Sequence, residues 1–306
     1  MKHLFIVNPT AGGADRTAQV RAKVEAAFAS RGDAWEVYVT KAPLDAVEKI
    51  RGEAEAGDAL RVYACGGDGT FNECVNGAAL RENVAVCPFP TGTGNDFCRQ
   101  FGEDAALFRE LDALLDGTVR PIDLIDCGGR YGVNICSVGI DARIGTGVHE
   151  FSRLPLVKGP FAYVVSSVVN MFRGIAQPMC VRWGNTRIEG PITLVCVCNG
   201  QYYGGGFHPS LTARPDDGEL DIFIAGKVTL PQFARLIGKY AAGHAAEMTD
   251  IVTHIRGREL SITFEQEDIV NLDGEAVLAR EVTMKLAPGA LNLIVPKGLR
   301  WFENEK

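Results

Sequence analysis

The 306-residue sequence has no two cysteines at C-x-x-C spacing, although it carries nine of them. Scattered thiols with no histidine-rich partner segment exclude a zinc module, and a disulfide framework is unusual at this length. The cysteines therefore read as reduced thiols of a cytoplasmic protein, with Cys196 and Cys198 alternating inside an apolar strand. The five histidines form no pattern, and His208, beside Gly204-Gly205-Gly206, reads as an ordinary one. Long apolar runs are also missing. Leu4–Val7 is too short for a signal peptide. The stretch from Pro160 to Phe172 contains Ser166, Ser167 and Asn170, falls short of a membrane span and reads as a buried or interfacial helix. No Walker A loop, no G-x-G-x-x-G and no G-x-S-x-G occurs, so the usual P-loop, dinucleotide-binding and serine-hydrolase readings lose support. There is no internal repeat and no low-complexity tract. A net charge of -7 gives the chain as a whole no attraction for nucleic acid.

Hydrophobic residues make up 46% and charged residues 23%, an ordinary globular composition, and the length suits two cores better than one. The first part alternates strand and helix. Leu4–Val7, Trp35–Val39, Leu60–Ala64 and Val84–Cys87 read as strands. Ala14–Ser30 has Val20, Val24 and Phe28 at helical spacing, and Pro43–Ala56 is bounded by Pro43 and Gly57 as a helix should be. This alternation predicts a parallel sheet with helices on its faces. After Pro121 strands dominate: Tyr131–Val138, Met179–Trp183, Ile192–Cys198, Leu220–Ile224, Ile251–Ile255, Leu260–Phe264, Ile269–Leu272, Val282–Leu286 and Leu291–Val295. Helices around Phe161–Phe172 and Leu230–Ala242 interrupt them. The prediction is α/β, with a mainly antiparallel β-sandwich following near residue 125.

The strongest local signal is the strand Leu60–Ala64 running into Gly66-Gly67-Asp68-Gly69-Thr70-Phe71-Asn72-Glu73. Glycines let the chain bend and let a bulky anion touch the backbone, and a helix start offers unpaired N–H groups to phosphate. A short Gly-Asp-Gly alone more often marks a tight turn with an Asp cap. Two further loops belong on the same sheet edge, because loops after parallel strands gather at the carboxyl ends. They are Asn8-Pro9-Thr10-Ala11-Gly12-Gly13 and Pro90-Thr91-Gly92-Thr93-Gly94-Asn95-Asp96. Three such loops carrying Asp68 and Asp96 are hard to explain as turn chemistry. Later, Pro215-Asp216-Asp217-Gly218-Glu219-Leu220-Asp221 is either an oxygen-rich site for a hard cation or a solvated turn. Asn271-Leu272-Asp273-Gly274-Glu275 is either a second acidic site or a hairpin turn.

Taken in order, Asn8-Pro9 with Gly12, Gly66–Thr70 with Asn72-Glu73, Pro90–Phe97, Asn199-Gly200 with Gly204–Gly206, Asp217-Gly218 with Leu220-Asp221, and Asp273-Gly274-Glu275 span nearly the whole chain. In this order they resemble the diacylglycerol kinase catalytic family, particularly its bacterial lipid kinases, with sphingosine and ceramide kinases as relatives. The resemblance implies an ATP-binding domain over residues 1–125 and a lipid-substrate domain over 126–306. The last residues would pack back on the first domain, and the active site would lie between the two. It implies ATP contact by Asn8, Pro9, Thr10, Ala11, Gly12, Thr40, Thr93 and the segment Gly66, Gly67, Asp68, Gly69, Thr70, Phe71 and Asn72. Asp68 and Asp96 would serve the Mg2+–phosphate end, and Glu275 matches the general base. Asp217 matches a structural magnesium ligand, with the carbonyls of Arg214 and Glu219 alongside. Asp123 matches an acidic position near the domain junction. Ala11 departs from the serine of many members, and Glu219 from an uncharged residue.

The implied activity is ATP-dependent phosphorylation of a hydroxyl on diacylglycerol or a related lipid. The partner is then a lipid at a membrane surface, met by a peripheral protein with no transmembrane segment. Homodimerisation is left open. A contact through Phe151–Phe172, with Arg153, Lys158 and Arg173 at head groups, competes with a buried-helix reading. Arg16 and Lys41 are the candidate phosphate cations. Rival readings are a soluble kinase of the NAD-kinase type, which shares a Gly-Gly-Asp-Gly loop, and a non-catalytic lipid or nucleotide sensor. The Pro90–Asp96 loop and the Asp217–Asp221 turn favour the lipid kinase over the first. Retention of Asp68, Asp96 and Glu275 disfavours the second.

Overall fold

Apolar runs of five or six residues form the first strands: β1 (Lys2–Val7), β2 (Ala34–Val39), β3 (Leu60–Cys65) and β4 (Val84–Pro88). They come from a computed structural model that describes residues 1–13, 15–91, 95–144 and 175–302. All four pair in parallel, in the order β4-β3-β1-β2. Leu4, Phe5 and Ile6 are fully buried, as strands of a parallel sheet covered on both faces must be. The covering helices follow their periodicity. Helix α1 (Thr17–Phe28) buries Val20, Val24 and Phe28, and α2 (Asp45–Ala54) buries Ala46, Val47, Ile50 and Ala54. Helix α3 (Asp68–Ala78) packs so closely on α2 that a Cβ on Gly77 would lie 2.9 Å from Ile50 Cβ. Short helices α4 (Asp96–Arg99) and α5 (Leu111–Leu115) complete this part before β5 (Thr118–Asp126).

The chain forms two units: Met1–Leu124 together with the stretch from Pro288 onward, and Ile125–Ala287. In the first, Asn292 and Leu293 add a parallel segment beside Ala85 and Val86 of β4. The second unit holds β6 (Tyr131–Gly132), β7 (Ile135–Gly139), β8 (Gln177–Trp183), β9 (Thr186–Cys198), β10 (Leu220–Gly226), helix α6 (Leu230–Ala241), β11 (Val252–Gly257), β12 (Glu259–Leu272) and most of β13 (Glu275–Val295). The pairings among β7 to β12 are antiparallel, in the order β11-β10-β9-β7-β12, and β8 bridges the other halves of β9 and β12. One core lies among Val138, Val181, Val195, Val197, Ile222, Ile262 and Met284. The opposite faces of β7, β9 and β10, through Ile135, Cys196, Cys198 and Phe223, pack with Tyr240 of α6. All nine cysteines are free, and Cys196 and Cys198 are buried.

Three boundaries differ from expectation. Tyr131–Val138 is two strands, because the amides of Val133, Asn134 and Ile135 turn toward the Asp273 carboxylate instead of a ladder. The runs Leu260–Phe264 and Ile269–Leu272 are one strand, whose pairing shifts register between Thr263 and Asp268. Val282–Leu286 and Leu291–Val295 are likewise one strand. The expected helix around Phe161–Phe172 and the contact segment Phe151–Phe172 lie outside the described residues.

Candidate active site

The ends of β1, β2, β3 and β4 place four loops along one edge of the first sheet. After β1, Asn8 folds the chain back with its own side chain, whose Oδ1 accepts from the Thr10 amide at 3.0 Å and the Thr10 hydroxyl at 2.8 Å. The turn Ala11–Gly13 follows, with Gly12 and Gly13 at φ 70° and 76°, a region open to glycine at little cost. Thr40, just beyond β2, donates its amide to Val7 O at 2.9 Å and so stands beside the β1 loop. After β3, Gly66 and Gly67 lead directly into α3. A Cβ on Gly66 would overlap the Thr70 side chain, so the tight strand-to-helix bend needs glycine.

The β3 and β4 loops are tied together by an acid. Asp68 Oδ1 accepts the Asp96 amide at 2.8 Å, across 28 residues of sequence. Behind this link, Phe71 and Phe97 pack with ring centroids 5.0 Å apart, and both are buried. Asp96 is 5% exposed, and its carboxylate faces Arg99 Nε at 3.0 Å. The neighbouring Asn95 Nδ2 is buried with no hydrogen-bond partner among the described residues. Asn8, Thr40, Gly66–Asn72 and Asp96 are thus gathered on one edge, whereas Thr93 lies outside the described residues. Beside the edge is a cavity of about 310 Å³ lined by Arg16, Lys23, Phe89, Pro90, Thr91 and Arg109, among others. Lys41 is not on that lining; its backbone amide caps onto Asp45 at 2.8 Å. Asp123 is buried and accepts the Gly289 amide at 2.8 Å.

In the second unit Glu275 is exposed and opens β13, directly opposite Leu272 across the hairpin. The turn residues Asp273 and Gly274 have φ 51° and 97°. A left-handed Asp is uncommon, and its side chain explains it. Asp273 Oδ1 accepts the amides of Asn134 at 3.0 Å and Ile135 at 2.8 Å, and Oδ2 accepts Val133. Asn199 Nδ2 donates to Val133 O at 2.8 Å, while the amides of Asn199 and Gly200 both reach Asn134 O at 2.8 Å. Three strand ends are therefore locked into one platform around the base of Glu275. Sequence reasoning singled out Glu275 but not this support. Asp-Gly is an ordinary pair for a two-residue hairpin, so the local sequence carried no signal of this support. A second feature it missed is Asp141, which accepts from the Tyr203 hydroxyl at 3.0 Å; removal from water pushes its carboxyl up to about 6.

The acidic turn stands on the same end of the second sheet. Asp221 pairs with Cys198, Ile135 is also opposite Cys198, and Leu272 is opposite Cys136. Three strand spacings, roughly 15 Å, thus separate the turn from the Glu275 hairpin. Asp217 is paired with Arg256, and Arg214 turns its guanidinium onto Asp216 at 3.0 Å. Among the described residues no group of three or more His, Cys, Asp or Glu side chains is arranged to hold a metal ion.

The diacylglycerol kinase catalytic domain model matches residues 2–127, and the model of the YegS C-terminal NAD kinase beta sandwich-like domain matches residues 134–295. The chain belongs to the diacylglycerol kinase catalytic family. A protein of Staphylococcus haemolyticus that carries the provisional name of lipid kinase is 26% identical over 81% of this chain and 80% of its own length. A diacylglycerol kinase structure from Bacillus anthracis superposes with a TM-score of 0.70 at 25% identity, covering 97% of this chain and 98% of the other. A second Bacillus anthracis structure, provisionally titled a diacylglycerol kinase, gives 0.73 at 27% identity over 96% of both chains. The likeness continues through the antiparallel strands, which the second model matches. The first match covers the parallel α/β part of the chain and the second its antiparallel β part.

Proposed function

We propose that this member of the diacylglycerol kinase catalytic family transfers the γ-phosphate of ATP to a hydroxyl of diacylglycerol or a closely related lipid. The observation that carries the reading is the link from the Asp96 amide to Asp68 Oδ1, which joins two glycine-rich loops along one edge. Phosphoryl transfer leaves little covalent work to the protein. It needs charge neutralisation and alignment of the attacking oxygen. The open backbone after β1 and around Gly66–Thr70 offers amides to phosphate oxygens, and Thr40 borders the same loop.

Two carboxylates beside such a loop suit magnesium. That ion is held by one or two carboxylates plus substrate phosphates rather than by an all-protein cage. Asp68 would hold it, with Asp96 alongside once Arg99 turns off its carboxylate, and when bound it would neutralise the charge that spreads over the transferred group. Glu275 is the proposed base. It is exposed and rises from a platform fixed by the Asp273 carboxylate. It takes the hydroxyl proton as the new O–P bond forms.

The test is transfer of labelled phosphate from ATP, in magnesium, to a panel of lipid alcohols in mixed micelles, with NAD as a control acceptor. Labelled lipid from the wild type, and almost none from a folded Asp68→Ala variant, is expected. Labelled NADP with unlabelled lipid would assign the chain to the soluble kinases instead. A variant near wild-type rate at saturating magnesium would remove Asp68 from the role.

A further inference from the structure

The acidic turn ahead of β10 already holds a cation. The Arg256 guanidinium points its three nitrogens at three different carboxylates. Nη2 meets Asp217 Oδ2, Nη1 meets Glu219 Oε2 at 3.1 Å, and Nε meets Asp221 Oδ1 at 3.3 Å. Strand pairing sets this placement, because Arg256 in β11 is directly opposite Asp221 in β10. The remaining oxygens of Asp217 and Asp221 are also engaged. Asp217 Oδ1 accepts the Glu219 amide at 3.1 Å. The Asp221 side chain is 0% exposed; its Oδ2 accepts from Ser210 Oγ at 2.7 Å and Thr212 Oγ1 at 2.9 Å, and His254 Nε2 lies 3.1 Å from Oδ1. Beside them, Arg258 Nε donates to Gly218 O at 3.0 Å.

A magnesium ion at Asp217, with the carbonyls of Arg214 and Glu219, does not fit this arrangement. A divalent ion needs about six oxygen ligands, and a guanidinium supplies donors only. Seated on Asp217, the ion would lie against the Arg256 charge and would have to displace it from the carboxylate. We infer that Arg256 is the resident cation of this turn, and that the second unit folds with no divalent ion there. The inference stands apart from the kinase reading, since it concerns folding and not turnover. Removing Arg256 would leave three carboxylates crowded at one turn, one of them wholly buried. Such an oxygen-rich turn then has reason to bind a divalent ion from solution.

Thermal unfolding of the full chain without nucleotide tests this, in EDTA and in millimolar magnesium, for wild type, Asp217→Asn and Arg256→Gln. Wild type and Asp217→Asn should respond to magnesium by the same amount, so that none of the response comes from the turn. Arg256→Gln should melt roughly 3–6 °C below wild type in EDTA, since the pairs are partly exposed, and should regain part of that in magnesium. A magnesium stabilisation of the wild type that Asp217→Asn abolishes would overturn the inference. So would an Arg256→Gln variant that melts with the wild type in EDTA. If Arg256→Gln does not fold, the comparison of wild type with Asp217→Asn still decides the matter.

Discussion

Glu275 and His3 show how one residue's surroundings decide its work. The proposed acceptor, a lipid hydroxyl, has a pKa far above neutrality, so it needs a base whose basicity is not already consumed by a metal. In the proposed roles Asp68 and Asp96 serve the metal, which leaves Glu275. Glu275→Gln keeps the shape and removes the charge. It is expected to bind ATP and magnesium nearly as the wild type does, while turnover falls by roughly 10²–10⁴-fold, the scale of general-base catalysis. A near-normal rate in a steady-state lipid assay would reduce Glu275 to the closing residue of a hairpin. His3 is a different case, since its effect is on folding. It is 2% exposed, its Nδ1 lies 2.8 Å from the Tyr63 hydroxyl, and burial, with Arg61 nearby, lowers its pKa from 6.5 to about 4. The folded state therefore resists protonation that the unfolded chain accepts. The contribution is present above pH 6.5 and is lost as pH falls toward 4, by up to about 3 kcal/mol. Asp141 acts in the opposite sense over an overlapping window. Its carboxyl is raised from 3.8 to about 6, so its contribution is lost as pH rises through that interval. The difference between wild type and His3→Leu isolates the histidine. Urea unfolding from pH 7 to pH 4 should show the two stabilities converging toward acid, and parallel curves would refute the assignment.

At the scale of the element, β3-loop-α3 shows why glycine is required at one position and not at another. A Cβ on Gly66 would overlap Thr70, a buried residue with no free direction to move, whereas a Cβ on Gly32 meets nothing within 4 Å. Gly66→Ala is expected to cost about 1–3 kcal/mol in denaturant unfolding, and Gly32→Ala to stay within about 0.5 kcal/mol. Equal stabilities would mean that the loop relaxes freely. The same element was easy to read in advance. Buried parallel strands are unbroken apolar runs, and their loops carry glycine and acid where an anion can approach, so β1, β3 and β4 and the residues at their ends stand out locally. The antiparallel unit was harder at its joints. Glu265–Asp268 and Pro288-Gly289 look like strand breaks, yet β12 and β13 run through them; in β12 the pairing on both sides carries the strand across a register shift between Thr263 and Asp268. The platform under Glu275 and the guanidinium in the acidic turn were not legible at all. Asp273 acts on amides about 140 residues earlier in the chain, and Arg256 answers Asp217 from 39 residues later; sheet register makes both contacts, and no spacing in the sequence encodes it.

On the proposed function, the whole molecule must reach a substrate that is insoluble in water. No helix among the described residues is long and apolar enough to cross a membrane. With a net charge of -7, the chain as a whole is not drawn to an anionic surface either. A lipid kinase built this way meets its substrate at an interface, so the concentration that governs its rate is the density of lipid within that interface. At fixed bulk lipid, diluting the acceptor with neutral detergent should lower the rate in proportion to its mole fraction while surface binding stays below saturation. Raising bulk lipid at fixed mole fraction should drive the rate to a plateau once all enzyme is bound. Because overall charge opposes anionic surfaces, adding salt should not abolish the activity, whereas binding that depended on long-range attraction would collapse once the Debye length falls to about 3 Å near 1 M salt. A rate that follows bulk concentration alone, whatever the mole fraction, would describe an enzyme taking a dissolved acceptor. That outcome would move this chain to the soluble kinases.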